Sequence, residues 1–350
     1  MRVKFLNLEY PSLFVKGKGK FEASSKARND VAKILSKNFD DIEYIPLYRH
    51  TQNMFVGVIE LLFQLFYYLF ITKNNEVIFM QYPIVNLKAF YLCNKVLKKR
   101  KVIALIHDLP SYRYTKDFSE KKKEIDILNS MMCLIVHSEA MAKRLKDDGV
   151  YTKMIVLKAF DYLLPQKQEI KIEKNRIVFA GALQKSKFLN DLHKCSFKNI
   201  FLNLYGGIEP NITKGNNIVY KGRFSPDDIS FIEGDWGLLW DGDSVDCCSG
   251  NFGEYLKIIA PHKFSLYLAC RLKIIVWKES AMAKFVEENK IGIVINNLYE
   301  IEEKINALSD EVVKVYENNV KLISENIRNG MMMVNAFNML LEDINHNEKK

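Results

Sequence analysis

Glycine and proline are scarce in this chain of 350 residues, with 16 and 8 copies, and no segment recurs at a fixed spacing. Collagen-like and repeat architectures are therefore excluded. The six cysteines (Cys93, Cys133, Cys195, Cys247, Cys248 and Cys270) are scattered, with no CxxC pair and no Cys/His spacing suited to zinc. They read as reduced thiols, and no metal site is expected. Neither GxGxxG nor a P-loop of the GxxxxGK type occurs, so dinucleotide redox chemistry and P-loop hydrolysis lose their usual warrant. Met1-Arg2 runs straight into an apolar strand pattern without a long apolar signal region, and the expected location is the cytoplasm.

What the chain does have is apolar bulk: 48% hydrophobic residues, among them 22 Phe, 17 Tyr and 3 Trp. Such a chain can offset its ordering entropy, and its length suits two domains better than one core. The formal charge of +9 points to an anionic partner: a phosphate ester, a nucleic acid or an acidic lipid. No RNP, helix-turn-helix or zinc signature accompanies that charge, so no nucleic-acid partner is expected.

One segment, Phe55 to Thr72 (FVGVIELLFQLFYYLFIT), is apolar apart from Glu60, Gln64 and Thr72. Spanning a bilayer takes about 20 residues, and a mid-span glutamate costs roughly 2.5 kcal/mol or more, which disfavours a transmembrane helix. The segment reads as a buried or subunit-facing helix ahead of strand Val77 to Met80, with a monotopic membrane contact as the alternative.

Apolar runs suited to buried parallel strands fall at Val3 to Leu8, Ile42 to Leu47, Val77 to Tyr82, Val102 to Ile106, Cys133 to Val136 and Met154 to Leu157. Helical patterns separate them, beginning with one capped by Ser24-Ser25 and continuing at 89–97, 121–128 and 139–145. After a charged, proline-containing linker, Asp161 to Asn175, the alternation restarts. Its strands fit Arg176 to Ala180, Ile200 to Tyr205, Ile218 to Lys221, Trp236 to Trp240, Lys273 to Trp277 and Ile291 to Ile295. Helices fit Pro226 to Ile232, Pro261 to Cys270, Ala281 to Glu288 and Leu298 to Leu308. The pattern predicts an α/β protein of two doubly wound, Rossmann-like domains, 1–160 and 176–309, facing across a ligand-binding cleft. A helical tail, 310–350, would pack back toward the first.

Loops at the strands' carboxyl ends carry the polar candidates. In Ala260-Pro261-His262-Lys263 a proline opens a helix whose free amides attract an anion, and Lys263 adds a full charge suited to a pyrophosphate. His262 beside it could serve the ligand or cap locally. Gly181, ending a strand, lets backbone approach a phosphate, with Lys185 or Lys187 to neutralise it; Tyr205-Gly206-Gly207 has the same double meaning. The basic loop Lys16-Gly17-Lys18-Gly19-Lys20 could close over a ligand. Asp108, after its strand, could accept a proton from an attacking hydroxyl, with His107 sharing or orienting the task; a structural Asp fits equally. The loop holding Asp241, Asp243, Ser244 and Asp246 lacks EF-hand spacing and suits sugar hydroxyls.

The stretch from Trp236 to Lys257 (WGLLWDGDSVDCCSGNFGEYLK), followed by APHKFSLYL at 260–268, resembles bacterial beta-1,6-galactofuranosyltransferases of O-antigen and capsule synthesis. It is more distantly similar to glucosyltransferases that extend GlcNAc on serine-rich adhesins. The resemblance extends through Leu105-Ile-His-Asp108, Phe160-Asp-Tyr-Leu163 and Ala180-Gly181. It implies a GT-B fold, a UDP-sugar donor with no cofactor or required metal, and a homo-oligomer; the expected acceptor is a glycan or a lipid-linked oligosaccharide, and the unassigned bases Lys98-Lys99-Arg100-Lys101 and Lys121-Lys122-Lys123 would face solvent or the anionic inner membrane surface in a peripheral contact. Under the resemblance, Lys263 is the diphosphate-binding lysine, and Lys185 follows the family's turn, which here reads Gly181-Ala182-Leu183 without its usual Asn. Gly181, His262, Tyr205 and Ser265 are assigned to the donor, and Gly17, Gly19, Asp241, Asp243, Ser244 and Tyr255 to substrate. The expected reaction is galactofuranose transfer from UDP to a hydroxyl with inversion, Asp108 acting as base. The rivals are glucosyl or N-acetylglucosaminyl transfer to a glycoprotein glycan, and a non-catalytic scaffold.

Overall fold

Among the described residues of the computed structural model, twelve strands, each paired in parallel with its neighbours, make up two separate sheets. The structure describes residues 2–9, 23–51, 53–114, 117–164, 168–207, 209 and 217–348. Gly17 and Gly19 lie outside the described residues. The chain divides into two units, one built mainly on Arg28–Lys158 with Met332–Lys350, the other on Ala159–Met331 with Phe21–Ala27.

The first unit runs β1 (Val3–Glu9), α1 (Ala23–Asn38), β2 (Ile42–Tyr48), α2 (Met54–Ile71), β3 (Val77–Tyr82), α3 (Leu87–Tyr91), α4 (Asn94–Leu97), β4 (Lys101–Ile106), α5 (Pro110–Arg113), α6 (Phe118–Leu128), β5 (Cys133–Val136), α7 (Glu139–Asp147) and β6 (Lys153–Val156). Strand order is β2-β1-β3-β4-β5-β6. The inner strands β3 and β5 are buried throughout, as continuous apolar runs covered on both faces must be. Helix α1 starts at Ala23, so Ser24 and Ser25 lie in its first turn instead of capping it. The pattern at 89–97 forms two short helices, α3 and α4, in place of one.

The second unit runs β7 (Arg176–Ala180), β8 (Phe201–Tyr205), β9 (Ile218–Gly222), β10 (Trp236–Leu239), α8 (Gly250–Leu256), α9 (His262–Ala269), β11 (Lys273–Trp277), α10 (Ala283–Glu288), β12 (Gly292–Ile295), α11 (Ile301–Asn306) and α12 (Asp310–Arg328). Its order is β12-β11-β10-β7-β8-β9. The helix expected at Pro226 to Ile232 is absent, and turns replace it. Short polar side chains take the backbone amides there: Asp227 N–H donates to Ser225 Oγ, and Ser230 N–H to Asp228 Oδ1. Such local bonds compete with a helical ladder.

The segment expected to be a linker lies within this second unit, with Lys171 bridged to Glu233. The helical tail also divides. Helix α12 packs on α9, and its Arg328 guanidinium donates to the carbonyls of Ala269 and Gln168. Only the following helix, α13 (Met331–Glu348), enters the first unit, where Phe337 meets Phe39 and Phe79 edge-on at 4.7 and 5.6 Å.

Candidate active site

In the second sheet the connections leave β7 toward β8 on one side and arrive at β10 on the other, so the boundary between β7 and β10 is a topological switch point. Ligands of open parallel sheets bind outside the strands' carboxyl ends at such a boundary. Helix α9 is fixed over it by an unusual close approach. Gly237 in β10 has no Cβ, and one built there would meet the Tyr267 ring at 2.4 Å. The ring therefore lies flat against the strand, and its hydroxyl accepts the Ala180 amide at 2.9 Å. Lys263, four residues earlier, shares that helix face. Its ammonium donates to the Trp240 carbonyl at 2.6 Å, lies 3.7 Å from Asp241 Oδ2 and sits 4.8 Å above the Phe179 ring.

Three strand-end groups thus converge on one lysine at the helix start, whose first amides have no helical acceptor. Gly181 follows β7 with φ of +153° and open space where a Cβ would stand, as backbone presented to a ligand requires. Lys185 is exposed in the short 3-10 turn Leu183–Lys185 just beyond it.

The other expected residues of the second unit have varied settings. The Tyr205 hydroxyl donates to the Phe231 carbonyl and accepts the Glu233 amide, so it holds a loop. Ser265 is buried on α9 and Tyr255 on α8. The three carboxylates of the 241–246 loop do not converge: Asp241 faces Lys263, Asp243 faces Lys187 at 3.5 Å, and Asp246 accepts the Ser244 hydroxyl at 2.9 Å. No group of three or more His, Cys, Asp or Glu among the described residues is arranged to hold a metal ion. All six cysteines are free, and burial pushes the Cys93 and Cys195 thiols up to about 12. His262 packs against Tyr162, ring centroids 5.1 Å apart, and its Nε2 is enclosed without a hydrogen bond among the described residues. Burial, then the Lys26 charge, pushes its pKa down to about 3, which keeps the imidazole neutral.

In the first unit, His107 and Asp108 follow β4. Buried Asn7 of β1 and Gln81 of β3 form a ladder toward them: Gln81 Nε2 donates to Asn7 Oδ1 at 2.7 Å, and Gln81 Oε1 pairs with His107 Nε2 at 2.6 Å. With the Gln81 amide so oriented, His107 carries a proton on Nε2, an assignment that follows from the network. Asp108 accepts the Leu109 amide at 3.0 Å and Arg113 Nη1 at 2.5 Å. The turn carrying Arg113 is itself held by buried Glu124, whose carboxylate accepts the Ser111 amide at 2.9 Å and the Tyr82 hydroxyl at 2.7 Å. Arg113 and Gln81 were not marked by any sequence motif. Arg113 reaches Asp108 only because Pro110–Arg113 winds back as a single turn.

His137, after β5, is wholly buried and donates Nε2–H to the Ile106 carbonyl at 2.8 Å. Burial pushes its pKa down to about 4. The unfolded chain binds this proton below about pH 6.5, so the stabilisation is complete above that pH and is lost as pH falls toward 4. It amounts to roughly 3 kcal/mol. Urea unfolding followed from pH 7.5 to 4.5 should show that loss, to which buried His262 adds with the same sign; His137→Gln should make the profile shallower, and a profile unchanged by it would mean that His137 is not one of the titrating groups.

Two family models match the chain: the glucosyltransferase 3-like N-terminal domain over residues 13–159 and the glucosyltransferase 3-like C-terminal domain over residues 177–340. The chain is similar to the beta-1,6-galactofuranosyltransferase WbbI of Escherichia coli K12, 29% identical over 338 residues, covering 92% of this chain and 96% of that protein. It is also similar to Glucosyltransferase 3 of Streptococcus gordonii, 25% identical over 245 residues, or 68% and 70% of the two chains. Among solved structures, sucrose-phosphate synthase of Thermosynechococcus elongatus superposes with a TM-score of 0.59 at 12% identity, covering 98% of this chain and 100% of that one. Anabaena Alr3699/HepE in complex with UDP and glucose superposes with a TM-score of 0.57 at 12% identity, over 99% and 100%.

Proposed function

Because the chain belongs to the glucosyltransferase 3-like family and is a glycosyltransferase of GT-B fold, we propose that it moves galactofuranose from UDP-galactofuranose to a hydroxyl of a glycan or lipid-linked acceptor, with inversion. The near full-length similarity to a beta-1,6-galactofuranosyltransferase supports the sugar. The observation that carries the donor site is the Lys263 ammonium at the switch point, in the first turn of α9 and over the Phe179 ring of the strand that Gly181 follows. A leaving UDP gains negative charge as the glycosidic bond breaks. A fixed cation and oriented amides stabilise that charge without reorganising, which is the task a metal performs in other sites.

To receive the diphosphate, Lys263 exchanges the Trp240 carbonyl for a phosphate oxygen, while Asp241 stays near its ammonium. Lys185, exposed beyond Gly181, supplies a second charge. The acceptor hydroxyl attacks the anomeric carbon from the face opposite UDP and loses its proton to Asp108. Arg113 and the Leu109 amide fix that carboxylate, and Gln81 fixes His107 next to it. Asp243 and Ser244, on the same loop as Asp241, would exchange their contacts with Lys187 and Asp246 for sugar hydroxyls.

UDP release from UDP-galactofuranose, UDP-glucose and UDP-GlcNAc, each in EDTA, tests this reading. UDP-galactofuranose should be consumed fastest and without added metal. Strict metal dependence, or no release from any donor, would overturn the mechanism; preference for UDP-glucose would move the sugar assignment to the glucosyl reading.

A further inference from the structure

Helix α2 is long and apolar enough to cross a membrane by length and composition, yet it is the crossover between β2 and β3 and cannot leave the sheet. Its inner stripe, Leu61, Leu65 and Leu69, is buried. Its polar residues are turned sideways, toward β2 and the residues after it. Gln64 exchanges hydrogen bonds with the Tyr48 backbone at 2.9 and 2.7 Å, closing the edge of β2, and Glu60 accepts the His50 amide at 2.8 Å. The outer face is therefore wholly apolar. Phe55, Phe63 and Phe70 are 75%, 73% and 78% exposed, with Ile59 and Tyr67 between them and Leu92 alongside. Soluble monomers rarely present a face of this kind; of the expected buried or subunit-facing helix, the buried form fails for this face.

The surroundings of this face are basic. Residues 73–101 contain seven Lys or Arg against a single Glu, and that Glu76 is paired with Lys4. Arg100 caps α2 directly, donating to the carbonyls of Leu69 and Phe70 at 2.6 and 3.0 Å. Lys73, Lys88, Lys95, Lys98 and Lys99 are exposed along α2's end and the neighbouring α3 and α4. Between α2 and α3 runs an open groove of about 570 Å³, apolar along Phe55, Ile59 and Leu62, with Lys88 among the residues lining it. A second copy of this chain laid on the same face in an isologous pair would set bases against bases. An apolar aromatic face bordered by lysines fits an anionic lipid surface instead, with the rings at the acyl boundary and the ammonium groups among phosphates.

We propose that the outer face of α2 with the lysines of α3 and α4 is a docking surface for an anionic bilayer, on which α2 lies in the plane of the interface. This inference does not depend on the donor or the reaction, since binding is read without any sugar present. The full chain should co-float with vesicles containing phosphatidylglycerol and bind pure phosphatidylcholine at least about tenfold more weakly. F63S/F70S changes two exposed rings only, so it should keep the wild-type melting curve and lose vesicle binding by about tenfold or more. K98E/K99E should weaken binding to the anionic vesicles, as should raised salt. Wild-type protein that stays in the soluble fraction, or F63S/F70S protein that floats like wild type, would overturn the proposal. So would a lipid-free dimer dissolved by F63S/F70S with no vesicle binding, which would assign the face to a second copy.

Discussion

Lys263→Ala should lower kcat/KM for the sugar donor by about 10²–10³-fold, the usual cost of removing one fixed charge or donor from a site where negative charge develops. The size follows from position. The lysine is held at the switch point by a helix whose Tyr267 is locked onto β7 and β10, so its charge is in place before reaction and needs no reorganisation. UDP affinity should weaken as well, because the diphosphate is charged in ground and transition states alike. Lys263→Arg should recover only part of the loss, since a planar guanidinium cannot occupy the narrow space between the Trp240 carbonyl and the Phe179 ring in the same way. Steady-state kinetics with calorimetric UDP titration would read both effects. Near wild-type turnover in Lys263→Ala would remove the lysine from the donor site.

Asp108→Asn should act on the other half of the reaction. It keeps the shape and the Leu109 contact but removes the proton acceptor, so kcat should fall by about 10²–10⁴-fold with UDP affinity unchanged. That split separates a base from a structural carboxylate. If Asp108 served only to hold Arg113 and the following turn, asparagine would shift the melting temperature and leave kcat within a few fold. His107→Gln should have the smaller effect, because His107 is tied to Gln81 and orients the site.

Much of the fold is legible in the sequence for one physical reason. A parallel sheet covered on both faces makes its inner strands continuous apolar runs, and Val77–Tyr82 and Lys273–Trp277 stand out as such. Helices bounded by polar turns are harder to read. At Ser225 to Ser230 the same serines and aspartates that suit a helix start instead consume the amides locally. For the site, a strand end locates a residue but not the direction of its side chain. Lys263 lies where a proline-started helix meets the sheet, whereas Tyr205, also at a strand end, turns its hydroxyl toward Phe231 and Glu233. The anchors of the first unit were invisible for a different reason. Gln81 sits inside a strand otherwise read as apolar core, and Arg113 reaches Asp108 through a single tight turn; neither produces a pattern. Helix α2 shows the limit of composition, since an apolar segment reads the same whether its outer face meets core, partner or lipid.

Product NMR after incubation with UDP-galactofuranose and a hydroxyl acceptor in EDTA tests the transferase assignment most directly. A new β-galactofuranoside formed in step with free UDP is the predicted result. An α-linked product, or transfer from UDP-glucose with none from UDP-galactofuranose, would contradict it.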